Sequence, residues 1–208
     1  MENSKQILSK LKTLYPTAKC ALNHNNAWQL LMATILSAQC TDERVNKVTA
    51  EIFKKYPNVQ DFHKLDLEQL KKMIYSTGFY NNKAKSIKGA AKMIMEQYQR
   101  RVPDEMSDLI KIPGVARKTA NVVLSVWFKK NQGVVVDTHV KRLAFRLGLT
   151  KETDPNKVEP DLMNIYAQAD WERIATLLIF HGRNVCFAKK PNCQGCVLNK
   201  ICPSAFNV

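Results

Sequence analysis

Apolar residues recur at three- and four-residue spacing along most of the chain: Ile7, Leu8, Leu11 and Leu14, then Trp28, Leu31, Met32, Ile35 and Leu36, then Val45, Val48 and Ile52. Each set fits one face of a helix, so the pattern predicts a nearly all-α protein. Asp66 with Gln69 forms a capping pair ahead of Leu70 and Ile74, and Ala84, Ile87, Ala91, Ile94, Met95 and Tyr98 mark a further helix. Tyr56-Pro57-Asn58 and Gly78 separate these segments. A short helix over about residues 103–111 stops at Pro113-Gly114, and another begins at once with Ala120, Val123, Leu124 and Trp127 at core spacing. The local reading is helix, tight turn, helix.

Gly133-Val134-Val135-Val136 is too short an apolar run for a helix and reads as a short strand or a buried connector. Asp137 then caps a helix carrying Val140, Leu143, Ala144 and Leu147, which Gly148 ends. Asp154-Pro155 and Glu159-Pro160 both have the form of a helix start, and either can open the helix with Leu162 and Ile165. Asp170 is expected to cap a last apolar helix over residues 171–180. Repeats, low-complexity tracts and flexible linkers are absent from the sequence, so any second domain must share elements with the first. A chain of 208 residues, 45% hydrophobic, can bury a substantial core.

Charge changes this picture. Lys and Arg number 32 against 18 Asp and Glu, a formal net charge of +14, which favours a polyanionic partner and nucleic acid before others. The excess is uneven: no acid occurs in residues 109–136, which hold Lys111, Arg117, Lys118, Lys129 and Lys130, and none follows Glu172. Those two stretches are expected to carry the positive surface. The first residues lack the apolar core of a signal peptide, and no window offers the roughly 20 apolar residues of a membrane span. A soluble, cytoplasmic, monomeric protein with no membrane partner is the expectation.

Four of the six cysteines crowd into the last 23 residues, as Cys186, Cys193, Cys196 and Cys202 in the spacing C-x6-C-x2-C-x5-C. A loop of Lys, Pro and Asn cannot build a core of its own, so four thiolates there call for a metal, and their sulfur set suits zinc or an iron-sulfur cluster alike. Cys20 and Cys40 lack ligand spacing and read as reduced, packed cysteines.

The Pro-Gly turn presents backbone N–H groups at the start of the second helix, where they and the helix dipole favour an anion such as phosphate. Pro-Gly turns commonly join helices for packing alone, but here Arg117 and Lys118 stand in the first turn, where a cation is disfavoured. The dipole and Arg117 both favour the neutral, nucleophilic amine at Lys118; the plainer reading is a surface lysine.

Taken in order, Leu36-Ser37-Ala38-Gln39-Cys40-Thr41-Asp42, Gly78-Phe79-Tyr80-Asn81, residues 112–121, Val136-Asp137-Thr138-His139 and the cysteine loop resemble the endonuclease III family of DNA-repair enzymes. The resemblance spans about residues 22–202. It implies an all-α, two-lobed helix-hairpin-helix DNA glycosylase fold, with residues 22–132 as a six-helix domain, residues 1–21 plus 133–208 as a cluster domain, and a DNA cleft between them. It also implies a [4Fe-4S] cluster on the four cysteines, which moves the metal assignment from zinc to iron.

By the same resemblance Lys118 attacks the sugar C1′ of a damaged pyrimidine nucleotide and Asp137 is the second catalytic group, with strand cleavage by Schiff-base β-elimination. Asp137, as a helix cap, suits a carboxylate that stabilises a cationic sugar and relays protons. The double-stranded partner would contain oxidised pyrimidines or abasic sites. Pro113, Gly114, Val115, Ala116 and Arg117 would hold phosphate, Lys189 and Lys190 would grip the backbone, and Gln39 and Phe79 would fill the gap left by a flipped base, with a helix terminator and a core aromatic as their plainer readings.

Two positions depart from the family pattern. Ala116 replaces a glycine, restricting φ and adding a methyl where phosphate should approach, and Phe79 is bulkier than the leucine often found there. A monofunctional mismatch or adenine glycosylase on the same scaffold is the first rival; Lys118 argues against it, as does the end of the chain six residues after Cys202, where the adenine branch would continue into a further domain. The second is a non-catalytic helix-hairpin-helix DNA-binding protein with a zinc staple.

Overall fold

The computed structural model describes residues 2–207, and among them all regular structure is helical. In chain order the helices are α1 (Glu2–Leu14), α2 (Ala27–Leu36), α3 (Asp42–Lys55), α4 (Val59–Lys64), α5 (Leu67–Ile74), α6 (Tyr80–Gln97), α7 (Met106–Leu109), α8 (Arg117–Val126), α9 (Thr138–Arg146), α10 (Pro155–Ile165) and α11 (Trp171–Asn184). Short 3-10 turns occupy Tyr75–Thr77 and Gln168–Asp170. The chain divides into two compact units, one of Cys20–Lys130 and one of Met1–Lys19 with Asn131–Val208.

In the unit Cys20–Lys130, α2 is buried almost throughout and packs against α3, α6 and α8. Its sequence is apolar on every side, as expected of a helix inside a core. Trp28, Leu31, Phe62, Leu70, Ile87 and Leu124 form part of that core, with Trp28 and Phe62 rings 5.3 Å apart. Alanines at 84, 90 and 91 on α6 keep its buried face thin where α4, α5 and α2 approach. The helix ends are closed by side chains: Asn26 accepts from Gln29 N at 2.9 Å, and Asp66 accepts from Gln69 N at 3.0 Å. Gln69 itself turns away to the Tyr56 hydroxyl, so only half of the expected reciprocal pair forms.

The C-terminal end of α4 is closed by a cation. Lys88 donates from Nζ to the carbonyls of Phe62 at 3.1 Å, His63 at 2.8 Å and Leu65 at 2.6 Å. Partial burial holds its ammonium below the ordinary lysine range, with Asp66 opposing.

In the other unit α11 packs on α9 and α1, and α10 packs on α9, around Ile7, Leu11, Val140, Leu143, Val158, Leu162, Ile174 and Leu178. The 133–136 run is a buried connector with no strand; Val134 and Val136 are its core anchors. Of the two helix starts, Asp154-Pro155 is the one used: Asp154 caps α10 by accepting from Asn156 N at 2.9 Å, and Pro160 lies inside the helix. Asp170 does not cap α11 through its side chain. Its backbone is itself helical, and its carboxylate meets Lys12 at 2.7 Å, because the preceding 3-10 turn leads directly into the helix. Helix α11 also runs past residue 180 to Asn184, and α7 is shorter than the 103–111 segment suggests, since Asp104 and Glu105 are held by Lys130 at 2.7 and 2.6 Å.

Replacing Lys88 by Met should leave the α4 carbonyls without their donor. Urea unfolding is expected to show a loss of about 1–3 kcal/mol, and an unchanged midpoint would mean that water closes this helix end equally well.

Candidate active site and cysteine loop

The turn between α7 and α8 is built by two small residues of α6. A side chain on Gly114 would stand 2.6 Å from the Ser86 Cβ, and one on Gly89 would stand 3.0 Å from the Pro113 ring. Gly114 also has φ +81, a backbone that only glycine adopts without strain. Leu109, Ile112 and Val115 are buried beneath the turn. The Val115 N–H is committed to the Ile112 carbonyl at 3.0 Å, so its part in anion binding is to brace the turn.

Ala116 stands at the N-cap of α8 with φ −86, well inside the range open to any L-residue, and its side chain provides no cap. The alanine therefore fits this turn without strain. Helix α8 thus begins without a side-chain cap from Ala116, and a helix N-terminus is where an anion is favoured. Gly114, Ala116, Arg117 and Lys118 are exposed along the same rim, and Lys118 makes no ion pair among the described residues. Of the other cations in the acid-free stretch, Lys111 pairs with Asp108 at 2.9 Å, Lys129 donates to the Val126 carbonyl at 2.8 Å, and Lys130 holds Asp104 and Glu105. The positive surface of this stretch is thus narrower than its composition suggests.

Asp137, in the other unit, follows the buried Val134 and Val136 and caps α9 by accepting from Val140 N at 2.8 Å. Burial holds His139 below the ordinary histidine range, with Asp137 opposing. A side chain on Gly182 would meet His139 Nδ1 at 2.9 Å and Arg142 Nη2 at 3.0 Å, so α11 approaches α9 through glycine.

Beyond α11 the four cysteines line one cavity together with Leu143, Leu147, Val185 and Leu198. Among the described residues no three of His, Cys, Asp and Glu converge as ligands of a single metal ion. Arginines of α9 hold the loop: Arg142 Nη2 donates to the carbonyls of Gly182 at 3.0 Å and Cys186 at 2.9 Å. Arg146 reaches the Phe187 carbonyl at 2.7 Å, the Ala188 carbonyl at 3.0 Å and the Cys186 Sγ at 3.4 Å.

His181 is 1% exposed, with Nε2 3.2 Å from Cys196 Sγ and Nδ1 3.2 Å from the Tyr15 hydroxyl. Burial pushes it down to about 4, so the imidazole is neutral. The pattern then assigns the ring proton to Nε2, donated to sulfur, while Nδ1 accepts from Tyr15. Burial, and then the other cysteines, push the Cys196 and Cys202 thiols up. Lys189 and Lys190 are exposed between the first two cysteines. Cys20 and Cys40 lie half-buried against the core of their own unit, Cys20–Lys130.

Gln39 and Phe79 occupy loops with left-handed backbones, φ 51 and φ 47, and both side chains are exposed. Phe79 is 62% exposed, so it is no core residue. Lys83 went unnoticed in the sequence: it is buried and donates from Nζ to the carbonyls of Leu36 and Thr77, each at 2.8 Å. A signal was present, because residues 83, 87, 90 and 94 share the apolar stripe of α6, where a lysine is out of place.

These features agree with the comparisons to known proteins. Residues 32–168 match the family model described as HhH-GPD superfamily base excision DNA repair protein, so the chain is a base excision repair protein of helix-hairpin-helix architecture. Over 204 residues it is 53% identical to the endonuclease III of Synechocystis, covering 98% of this chain and 93% of that one. It superposes with a TM-score of 0.92 and 40% identity on endonuclease III in a non-covalent complex with DNA, covering 98% of this chain and 95% of that one. The same score and identity, covering 98% and 96%, relate it to an endonuclease III trapped as a covalent intermediate with DNA. The chain belongs to the endonuclease III family.

Gly114→Ala should destabilise the hairpin by about 1–3 kcal/mol, since it meets both a left-handed backbone and Ser86. Adding Ser86→Gly should recover only the steric part, and full recovery in a urea titration would show that φ is of no consequence there.

Proposed function

We propose that this chain excises oxidised pyrimidines from duplex DNA and then cleaves the abasic strand, with Lys118 as nucleophile. The observation that carries the proposal is an exposed lysine in the first turn of a helix that has no side-chain cap from its N-cap residue, in a chain 40% identical to an endonuclease III trapped as a covalent intermediate with DNA. The hairpin N–H groups of residues 114 and 116–118 receive a phosphate, with Pro113 and Val115 bracing the turn and Arg117 adding charge. That contact sets the register of the DNA.

The damaged nucleotide leaves the stack, and Gln39 and Phe79 enter the gap, the amide bonding the unpaired base and the ring acting as a wedge. The Lys118 amine attacks C1′ as the C1′–N bond to the base breaks, and the departing base takes up a proton. Opening of the sugar ring gives a Schiff base, loss of a C2′ proton expels the 3′ phosphate oxygen, and the strand is cut 3′ to the lesion. Asp137 stabilises the cationic sugar and relays protons.

The four cysteines fit a [4Fe-4S] cluster better than zinc. The four thiols line one shared cavity, which a four-iron cluster would span from its corners, and the chain belongs to the endonuclease III family. When bound, the cluster supplies a cross-link between the loop's two ends. The stiffened loop presents Lys189 and Lys190 to the DNA backbone.

Borohydride reduction during incubation with oxidised-pyrimidine DNA should trap a covalent complex with the wild-type protein and none with Lys118→Gln. A trapped complex from the variant would remove Lys118 from the mechanism, and failure of the wild type to trap would remove the lyase assignment altogether.

The purified protein should be brown, with a broad absorbance in the violet that Cys202→Ser weakens or abolishes. Colourless protein with stoichiometric zinc would return the loop to the zinc assignment.

A further inference from the structure

Lys83 is a buried cation that neither the phosphate-binding hairpin nor the cysteine loop explains. It is 5% exposed on the stripe of α6 that also buries Ala84 and Ile87, where methionine or leucine would bury more apolar surface. Desolvation holds its ammonium below the ordinary lysine range, with Cys40 opposing. A lysine occupies this position at a real solvation cost.

Its Nζ and its backbone N–H both donate to carbonyls at the stems of two loops. From Nζ it donates to Leu36, the last residue of α2, and to Thr77, the last residue of the 3-10 turn, each at 2.8 Å. From its backbone N–H it donates to Phe79 at 3.1 Å. Both Nζ partners are C-terminal helical carbonyls, which lack intrahelical donors and favour a cation. Leu36 stands three residues before Gln39, and Thr77 two before Phe79. Lys88 closes one segment; Lys83 joins two that are distant in sequence.

The loops it joins share a geometry. Gln39 and Phe79 both take left-handed backbones, and Gly78 has φ +70, so neither side chain is aimed by its own helix. Tyr75 and Tyr80, on either side of Phe79, close that turn with ring centroids 4.7 Å apart. The stems of the two loops are joined through the Lys83 ammonium.

We propose that Lys83 is a positioning residue that locks the Gln39 and Phe79 loops into one rigid unit, so that both side chains enter the duplex together as the damaged nucleotide leaves. This rests on the gap-filling reading of Gln39 and Phe79. Lys83 itself touches neither substrate nor the reacting atoms.

The test compares one oxidised pyrimidine in two settings, fully paired and in a single-nucleotide bulge, where no opposite base leaves a gap. Single-turnover base removal is measured for the wild type, Lys83→Met and Phe79→Ala, and active enzyme is counted by borohydride trapping on an abasic duplex so that unfolded protein is not scored. Lys83→Met is expected to slow the paired substrate by about tenfold or more while the bulged substrate reacts close to the wild-type rate.

Equal slowing on both substrates would reduce Lys83 to a structural cap, and no slowing on the paired substrate would overturn the proposal. Slowing by Phe79→Ala without slowing by Lys83→Met rejects the Lys83 proposal alone. A paired rate untouched by Phe79→Ala rejects the gap-filling reading and the proposal with it. Should the Met variant yield no active protein, Lys83→Gln, which keeps an amide donor but falls short of bridging both carbonyls, is judged by the same ratio.

Discussion

Every helix end leaves backbone groups without partners, and a protein made of short helices has many such ends to close. This structure closes its carbonyl ends largely with lysine and arginine. Lys83 and Lys88 do so in one unit, and Arg142, Arg146 and Arg173 in the other, where Arg173 gathers the carbonyls of Tyr15, Pro16 and Ala18 after α1. The cations sit at the negative ends of helix dipoles and satisfy buried acceptors together, so each stabilises the fold twice over. The N-terminal ends are closed by Asn26, Thr41, Asp66, Asp137 and Asp154. Helix α8, like α6, α7 and α11, has no side-chain cap from its N-cap residue, and its N-terminus is where phosphate is proposed to bind.

This division of labour changes the meaning of the +14 charge. Part of the excess is paired at the surface, Lys111 with Asp108 and Lys130 with Asp104 and Glu105. What remains for DNA in this stretch is concentrated on the hairpin rim. A cation there works against the dipole of its own helix, which is unfavourable for folding.

The cysteine loop follows the same logic with sulfur in place of carbonyl oxygen. Leu143, Leu147, Val185 and Leu198 line the cavity beside the part-exposed thiols, while Arg146 and the neutral His181 direct donors at two of them. Polar groups around a metal site orient the ligands and tune their basicity, and here they are supplied by α9 and α11, outside the loop itself. The loop therefore depends on its unit's core for more than attachment.

The sequence by itself determined the helical class, the hairpin, the capping aspartates at 66, 137 and 154 and the cysteine spacing, because each is a local matter of period, cap chemistry or short-range geometry. It left two proline helix starts open, gave Asp170 a capping role it does not have, and treated Phe79 as equally suited to the core. Tertiary structure decided these, because Lys12 takes the Asp170 carboxylate and left-handed turns push Phe79 outward. Nor could the chain announce that Ala116 has an unstrained φ, or that Lys83 spans the stems of two loops. Burial and hydrogen-bond partners at those positions come from segments far away in sequence, and no local pattern encodes which carbonyl a lysine will meet once the chain has closed.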